Sequence, residues 1–182
     1  PEDLFDEETN SPVISPAPKL SSSPTTEDLR KLAEIIIESE RPLILVGGAL
    51  LAESLVDENV LTDLNILSER WVLPISPTHR RPQLFDSRHP NYGGYMGIRV
   101  PPLLINQMKE TDLLVVLGER MTDTVSQSYT FPKAPKPQFP MIHIWPDANE
   151  IGRVWHPEVG IPASPHEVIK GLLSMDIPKN VN

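Results

Sequence analysis

Leu113-Leu114-Val115-Val116-Leu117 is an unbroken apolar run stopped at once by Gly118-Glu119-Arg120. A run this short is not a buried helix, and one with no polar alternation does not lie half in water. It reads as a strand covered on both faces, the situation of strands in parallel sheets. The pattern recurs along the chain. Leu43-Ile44-Leu45-Val46 ends at Gly47-Gly48, residues 141–145 end at Pro146-Asp147, and further short runs occupy 71–75 and 158–162. Pro74 inside the 71–75 run cannot donate to a ladder and places that strand near a sheet edge. Helical patterns fall between the runs. Thr25 or Thr26 caps a helix with Leu29, Leu32, Ala33, Ile36 and Ile37 on one face, ending by Arg41 before Pro42. Leu51, Leu55, Val60, Leu64 and Leu67 form a broken stripe to Ser68. Pro101 or Pro102 opens a helix carrying Leu104, Ile105 and Met108. Residues 120–128, 148–153 and 165–175 complete the set. Strands alternating with helices predict an α/β fold, a doubly wound parallel sheet with helices on both faces and right-handed crossovers, Rossmann-like. Such a sheet presents its loops, and its ligands, at the carboxyl ends of the strands.

The bulk properties narrow the function classes. The chain has 182 residues, enough for one domain of ordinary size. Its net charge of −9 repels phosphate backbones, and no basic helix or aromatic platform offsets it, so nucleic acid is not an expected partner. No apolar run approaches the roughly 20 residues that cross a bilayer, so no membrane partner is expected. The lack of cysteine excludes thiolate metal sites and cysteine nucleophiles and fits a cytoplasmic setting. Residues 1–24 are polar, proline-rich and without apolar period, and read as a linker. The folded domain is expected over 25–176, with 177–182 beginning a second linker. The segment 76–100 is long and irregular, as functional or disordered loops are.

The chemistry-bearing residues cluster at strand ends. Gly47 and Gly48 stand between a strand and a helix, where missing side chains let a ligand approach backbone N–H groups, as a diphosphate would. They do not form the dinucleotide fingerprint G-x-G-x-x-G, and a tight turn without ligand is the rival reading. Gly118 and Arg120 end the strongest strand, so Arg120 can reach a phosphate or carboxylate with Asp123 to orient it. The rival is an exposed Arg120–Asp123 pair at helical spacing. Asp147 is placed to accept a ribose hydroxyl, or to cap the helix holding Glu150 and Ile151; capping is favoured. His143, within a strand, is expected to be a packed, hydrogen-bonded histidine under a helix. His79, His89, His156 and His166 show no metal-ligand spacing, so no metal site is assigned. No G-x-S-x-G elbow and no Ser, His and Asp constellation occurs, and no catalytic residue is nominated.

The ordered series Arg41-Pro42-Leu43-Ile-Leu-Val-Gly47-Gly48, His89-Pro90-Asn-Tyr92-Gly93, Gly94-Tyr-Met96-Gly97, Thr111-Asp112-Leu-Leu-Val-Val-Leu117-Gly118-Glu-Arg120 and Ile142-His143-Ile-Trp-Pro-Asp147-Ala-Asn-Glu150-Ile151-Gly152 resembles the central domain of thiamine diphosphate-dependent enzymes. That family includes acetolactate synthase, pyruvate oxidase, benzoylformate decarboxylase and oxalyl-CoA decarboxylase. The resemblance covers residues 20–176. It implies a sheet of about six parallel strands, related to sirtuin-like NAD/FAD-binding domains, where the residues alone show five. It also implies that a pyrimidine-binding domain precedes residue 1, that a further domain follows, and that the parent forms a homo-oligomer.

In such enzymes thiamine diphosphate and Mg²⁺ lie between the first and third domains, held by a Gly-Asp-Gly stretch and a later Asn. This sequence contains no Gly-Asp-Gly. The resemblance therefore implies a fragment, not catalytic alone, of a 2-keto acid carboligase or decarboxylase, acetolactate synthase-like, whose flanking domains are its partners. Central domains of the family bind FAD in some members, ADP or the adenosine moiety of CoA in others, and nothing in many. By position, Gly47, Gly48, Gly118 and Arg120 match nucleotide-contacting places of the FAD-bearing members, and Asp147 an adenosine-side acid. Two departures weigh against FAD: Gly97 is followed by Ile98-Arg99-Val100 in place of Met-His-Gly, and Trp145 stands where those members carry an acid. The alternatives are a working FAD, ADP or CoA module and a free-standing sirtuin-like NAD enzyme. The latter needs a catalytic histidine on a loop, and His143 lies in a strand.

Overall fold

A computed structural model describes residues 21–176 of the chain. The expected linker over 1–24 falls almost wholly outside the described residues, as does the segment 177–182. Five strands, β1 (Pro42–Val46), β2 (Ile75–Pro77), β3 (Leu113–Leu117), β4 (Met141–Ile144) and β5 (Val159–Ile161), form one sheet. The order is β2-β1-β3-β4-β5 and every pairing is parallel. β1 and β3, the two unbroken aliphatic runs, are the central pair, in register from Pro42 opposite Leu113 to Val46 opposite Leu117. Proline-flanked β2 is at the edge, as its missing donors require.

Period-two alternation divides the strands between two cores. Ile44, Val46, Leu113, Val115, Leu117, Ile142 and Ile144 face one side, under α1 (Thr26–Glu38), α2 (Gly48–Ser54), α3 (Asn59–Trp71) and α5 (Pro165–Leu173). Leu43, Leu45, Leu114, Val116 and Met141 face the other. That second face is covered by α4 (Pro102–Met108) together with Met121, Val125, Phe131 and Trp155. Helices therefore lie on both faces, but four crowd the first, and irregular turns do most of the covering on the second.

Five sequence expectations change in detail. The strand expected at 71–75 begins only at Ile75, because Trp71 belongs to the buried helical stripe Val60, Leu64, Leu67, Ser68, Trp71 of α3. That helix stops where Val72 turns left-handed, at φ 51°, and the Leu73 N–H returns to the Ser68 carbonyl at 3.0 Å. The broken stripe over 51–68 is two helices, α2 and α3, meeting at residues 55–58. No helix forms over 120–128, where irregular residues 120–122 lead into successive turns from 123 on, because Met121, Gln127 and Ser128 adopt positive φ; residues 148–153 are turns and a bend. A full sixth strand is absent among the described residues. In its place residues 91–96 lie along the free edge of β2, where Ile75 donates to Asn91, Gly93 to Ile75 and Met96 to Pro77 at 2.8–3.0 Å. The irregular segment after β2 thus contains a rudimentary edge strand.

Asp112 ties the amino edge together. Its carboxylate accepts from the Glu40 N–H at 2.7 Å, the Arg41 N–H at 2.9 Å and the Ser39 hydroxyl, joining the α1–β1 turn to the start of β3. At α1 itself, Thr25 and Asp28 form a reciprocal capping box.

Candidate functional site

The carboxyl ends of the strands bring Gly47, Gly48 and Gly118 together, as the strand-end reading requires. Gly47 precedes α2, donates its N–H to the Leu117 carbonyl at 3.1 Å, and Ala49 donates to the Gly118 carbonyl at 2.9 Å. Two donors of the glycine turn are therefore bonded to the end of β3. Gly118 is left-handed, at φ +69°, and a Cβ there would come within 2.7 Å of Pro165 Cγ. Glycine at this place is a condition of packing the β3 turn against α2 and α5.

Two residues passed over in the sequence complete this edge. Glu119 is 8% exposed, its Oε2 2.5 Å from the Thr78 hydroxyl and its Oε1 accepting the Arg120 N–H at 2.9 Å. Its carbonyl accepts from His143 Nε2–H at 2.9 Å. Burial pushes the His143 ring below its ordinary pKa and keeps it neutral, with the hydrogen bond to Glu119 opposing. His143 is packed and hydrogen-bonded as expected. Arg81, from the irregular segment after β2, lays its guanidinium over Gly48: Nη2 is 3.3 Å from the place of a Gly48 Cβ, and Nε is buried without a hydrogen-bond partner. Glu119 was legible as the residue directly after the Gly118 turn. Arg81 was not, because only the fold brings it to Gly48.

Arg120 and Asp147 meet through an intermediary. Arg120 pairs with Glu150 at 2.7 Å and lies 5.9 Å from the Trp145 ring centroid. The Arg120–Asp123 pair of the rival reading does not form among the described residues: Arg120 bonds to Glu150 instead, and without a helix over 120–128 the i,i+3 geometry is lost. The Arg120 hydrogen bond, helped by Arg153 at 3.1 Å, holds the Glu150 carboxyl below its ordinary range. Asp147 accepts from Asn149 N–H at 2.9 Å and Asn149 Nδ2 at 3.0 Å, closing a turn of the kind that caps helices, although no helix follows.

Two hollows among the described residues bear on the choice of edge, and the larger of these two is not at the carboxyl ends. One of about 640 Å³ lies at the amino ends of the strands, between Leu43, Pro74, Tyr92, Leu104 and Thr111. The other, about 330 Å³, lies between α2 and α5, beside Ala49, Glu53, Pro146, His166 and Lys170. His166 there is held by Asp63, 2.7 Å from Nε2, with Asp57 3.5 Å from Nδ1. Strand direction and converging polar groups, not hollow size, mark the carboxyl edge as the candidate site. Among the described residues no group of three potential ligands is arranged for a metal ion, and no helix is long and apolar enough to cross a membrane.

Residues 29–172 match the family description "Thiamine pyrophosphate enzyme, central domain". The chain belongs to this family. Relatives of the thiamine pyrophosphate enzyme central domain include a probable acetolactate synthase large subunit of Methanocaldococcus jannaschii, 29% identical over 146 residues, covering 80% of this chain and 23% of the relative. The acetolactate synthase of Mycobacterium leprae is 27% identical over 171 residues, 91% of this chain and 26% of that protein. The Escherichia coli acetolactate synthase isozyme 1 large subunit is 27% identical over 150 residues, 82% of this chain and 25% of that protein. The chain thus spans about a quarter of the length of these relatives. A crystal structure of benzoylformate decarboxylase from Polynucleobacter necessarius shares the fold, with TM-score 0.63 and 18% identity over 98% of this chain and 33% of that one.

Proposed function

We propose that this central domain serves as a scaffold within a thiamine diphosphate-dependent 2-keto acid carboligase or decarboxylase of acetolactate synthase type, packed between flanking domains of the same polypeptide in a cytoplasmic homo-oligomer. The observation that carries the reading is the match of residues 29–172 to the family's central domain, with acetolactate synthases among its relatives. Thiamine diphosphate supplies such enzymes with a carbanion sink. The residues of this domain do not fit that cofactor or its Mg²⁺. The sequence has no Gly-Asp-Gly, and the acid buried at the carboxyl edge, Glu119, is committed to Thr78 and Arg120. No chemical step is therefore assigned to its side chains.

A scaffold role is supported by where the polar groups are spent. Gly47 and Ala49 donate to β3, Arg120 is held by Glu150, and Asp147 is turned onto Asn149. The sirtuin-like reading, which needs a catalytic histidine on a loop, draws no support from His143, which is buried in β4 and donates to a backbone carbonyl. The test is the whole polypeptide. Reading the gene on both sides should reveal a Gly-Asp-Gly downstream. The full protein with thiamine diphosphate, Mg²⁺ and pyruvate should release carbon dioxide, while the 182-residue chain under the same conditions should not. Turnover by the isolated chain, or a flanking sequence without that motif, would overturn the proposal.

A further inference from the structure

Two of the residues that the sequence marks for a nucleotide, Gly47 and Arg120, pack against or bond to a carboxylate of the chain's own. A Cβ on Gly47 would lie 2.5 Å from Glu119 Cβ and 2.7 Å from Glu119 Cα, closer still to Oε2, so the acid fills the space that the missing side chain leaves. It is 8% exposed, and the Thr78 hydroxyl and the Arg120 N–H converge on its two oxygens. A buried carboxylate is tolerated where such donors meet it. The same donors are what a phosphate oxygen would need. Arg81 adds a guanidinium over Gly48, forms no ion pair among the described residues, and keeps its Nε without a hydrogen-bond partner.

We infer that Glu119 is an internal anion that occupies the phosphate position at the Gly47–Gly48 turn and excludes nucleotides from this domain. The carboxylate acts in two ways. It fills the cleft against Gly47, and its charge repels a phosphate brought toward the same donors. Removing it leaves a space flanked by the Thr78 hydroxyl, the Arg120 N–H and the Arg81 guanidinium, a donor set for a phosphate oxygen. The inference rests on this geometry and is independent of the reaction of the whole enzyme.

The test compares the full chain with its Glu119→Ala variant by calorimetric titration with pyrophosphate, ADP and FAD, with melting curves to establish that both are folded. The unaltered chain should give no binding heat at millimolar ligand. Glu119→Ala should bind pyrophosphate and ADP at least roughly tenfold more tightly than the unaltered chain. Pyrophosphate should shift the amide resonances of Gly47, Gly48 and Arg120 in that variant. Response to pyrophosphate alone identifies a bare phosphate site; a further gain with ADP identifies an adenosine contribution, and either supports exclusion by Glu119. If Glu119→Ala does not fold, Glu119→Ser takes its place in the same titration. Nucleotide binding by the unaltered chain, or a folded variant as silent as the parent, overturns the inference.

Discussion

Glu119 packs its side chain onto the bare Cα of Gly47, joining the end of β3 to the start of α2. Gly47→Ala would drive a methyl group against the Glu119 Cβ and Cα, and the latter is backbone and cannot swing away. Overpacking of this kind costs roughly 1–3 kcal/mol. Gly48→Ala meets only the flexible end of Arg81, at 3.3 Å, and should cost much less. Chemical denaturation of the two variants should show that order. In a double-mutant cycle, Glu119→Ala should recover little of the Gly47→Ala loss, because the Cα and Cβ remain in contact.

Gly118→Ala should destabilise for a different reason. Its φ of +69° is left-handed, a conformation costing roughly 1–2 kcal/mol for an L side chain, and Pro165 Cγ stands 2.7 Å from the new methyl. The melting temperature should fall even in a Gly118→Ala, Glu119→Ala background, since the Pro165 contact does not involve Glu119.

Acid stability should depend on Asp112. Partial burial raises its pKa, but the Ser39 hydroxyl and the Glu40 and Arg41 N–H groups together outweigh this and leave it below its ordinary 3.8. A folded-state pKa below the unfolded one stabilises above the unfolded value, and that contribution is lost as pH falls through the folded value. Asp112→Asn should remove about 1–2 kcal/mol at neutral pH and show a shallower loss of stability below about pH 4. Urea unfolding at several pH values measures both effects.

His143 should act in a separate window. Burial depresses its pKa below the ordinary 6.5, so the neutral ring stabilises the fold above that value, and stability is lost as pH falls through the folded pKa. The unaltered protein should begin to weaken below about pH 6.5, well before the Asp112 range. His143→Leu should flatten that portion of the curve, although it forfeits the bond to the Glu119 carbonyl.

The sheet was readable because burial on both faces leaves a signature that needs no tertiary information. Leu113–Leu117 and the aliphatic residues of β1 are apolar throughout, and glycine ends each of them. Trp71 misled because an aromatic residue beside Val72 and Leu73 looks like strand, whereas its place in the α3 stripe emerges only when the helix is continued to its end. The turns over 120–128 were hidden for another reason: left-handed Met121, Gln127 and Ser128 are unusual for such side chains, and local pattern does not report them. At the site, Gly47, Gly48 and Gly118 were marked by position at strand ends. Thr78 and Arg81 reach the same place from a segment without periodicity, and the Arg120–Glu150 pair crosses from the end of β3 to the turn after β4. Such partners depend on strand order, which the apolar runs alone do not specify.

We propose this chain as the scaffold domain of a thiamine diphosphate-dependent enzyme. The most direct test is carbon dioxide release from pyruvate by the full polypeptide, with and without thiamine diphosphate and Mg²⁺, beside the isolated chain. Release is expected from the full polypeptide only when both cofactors are present, and none from the chain alone. Release that ignores thiamine diphosphate, or release by the chain itself, would contradict the proposal.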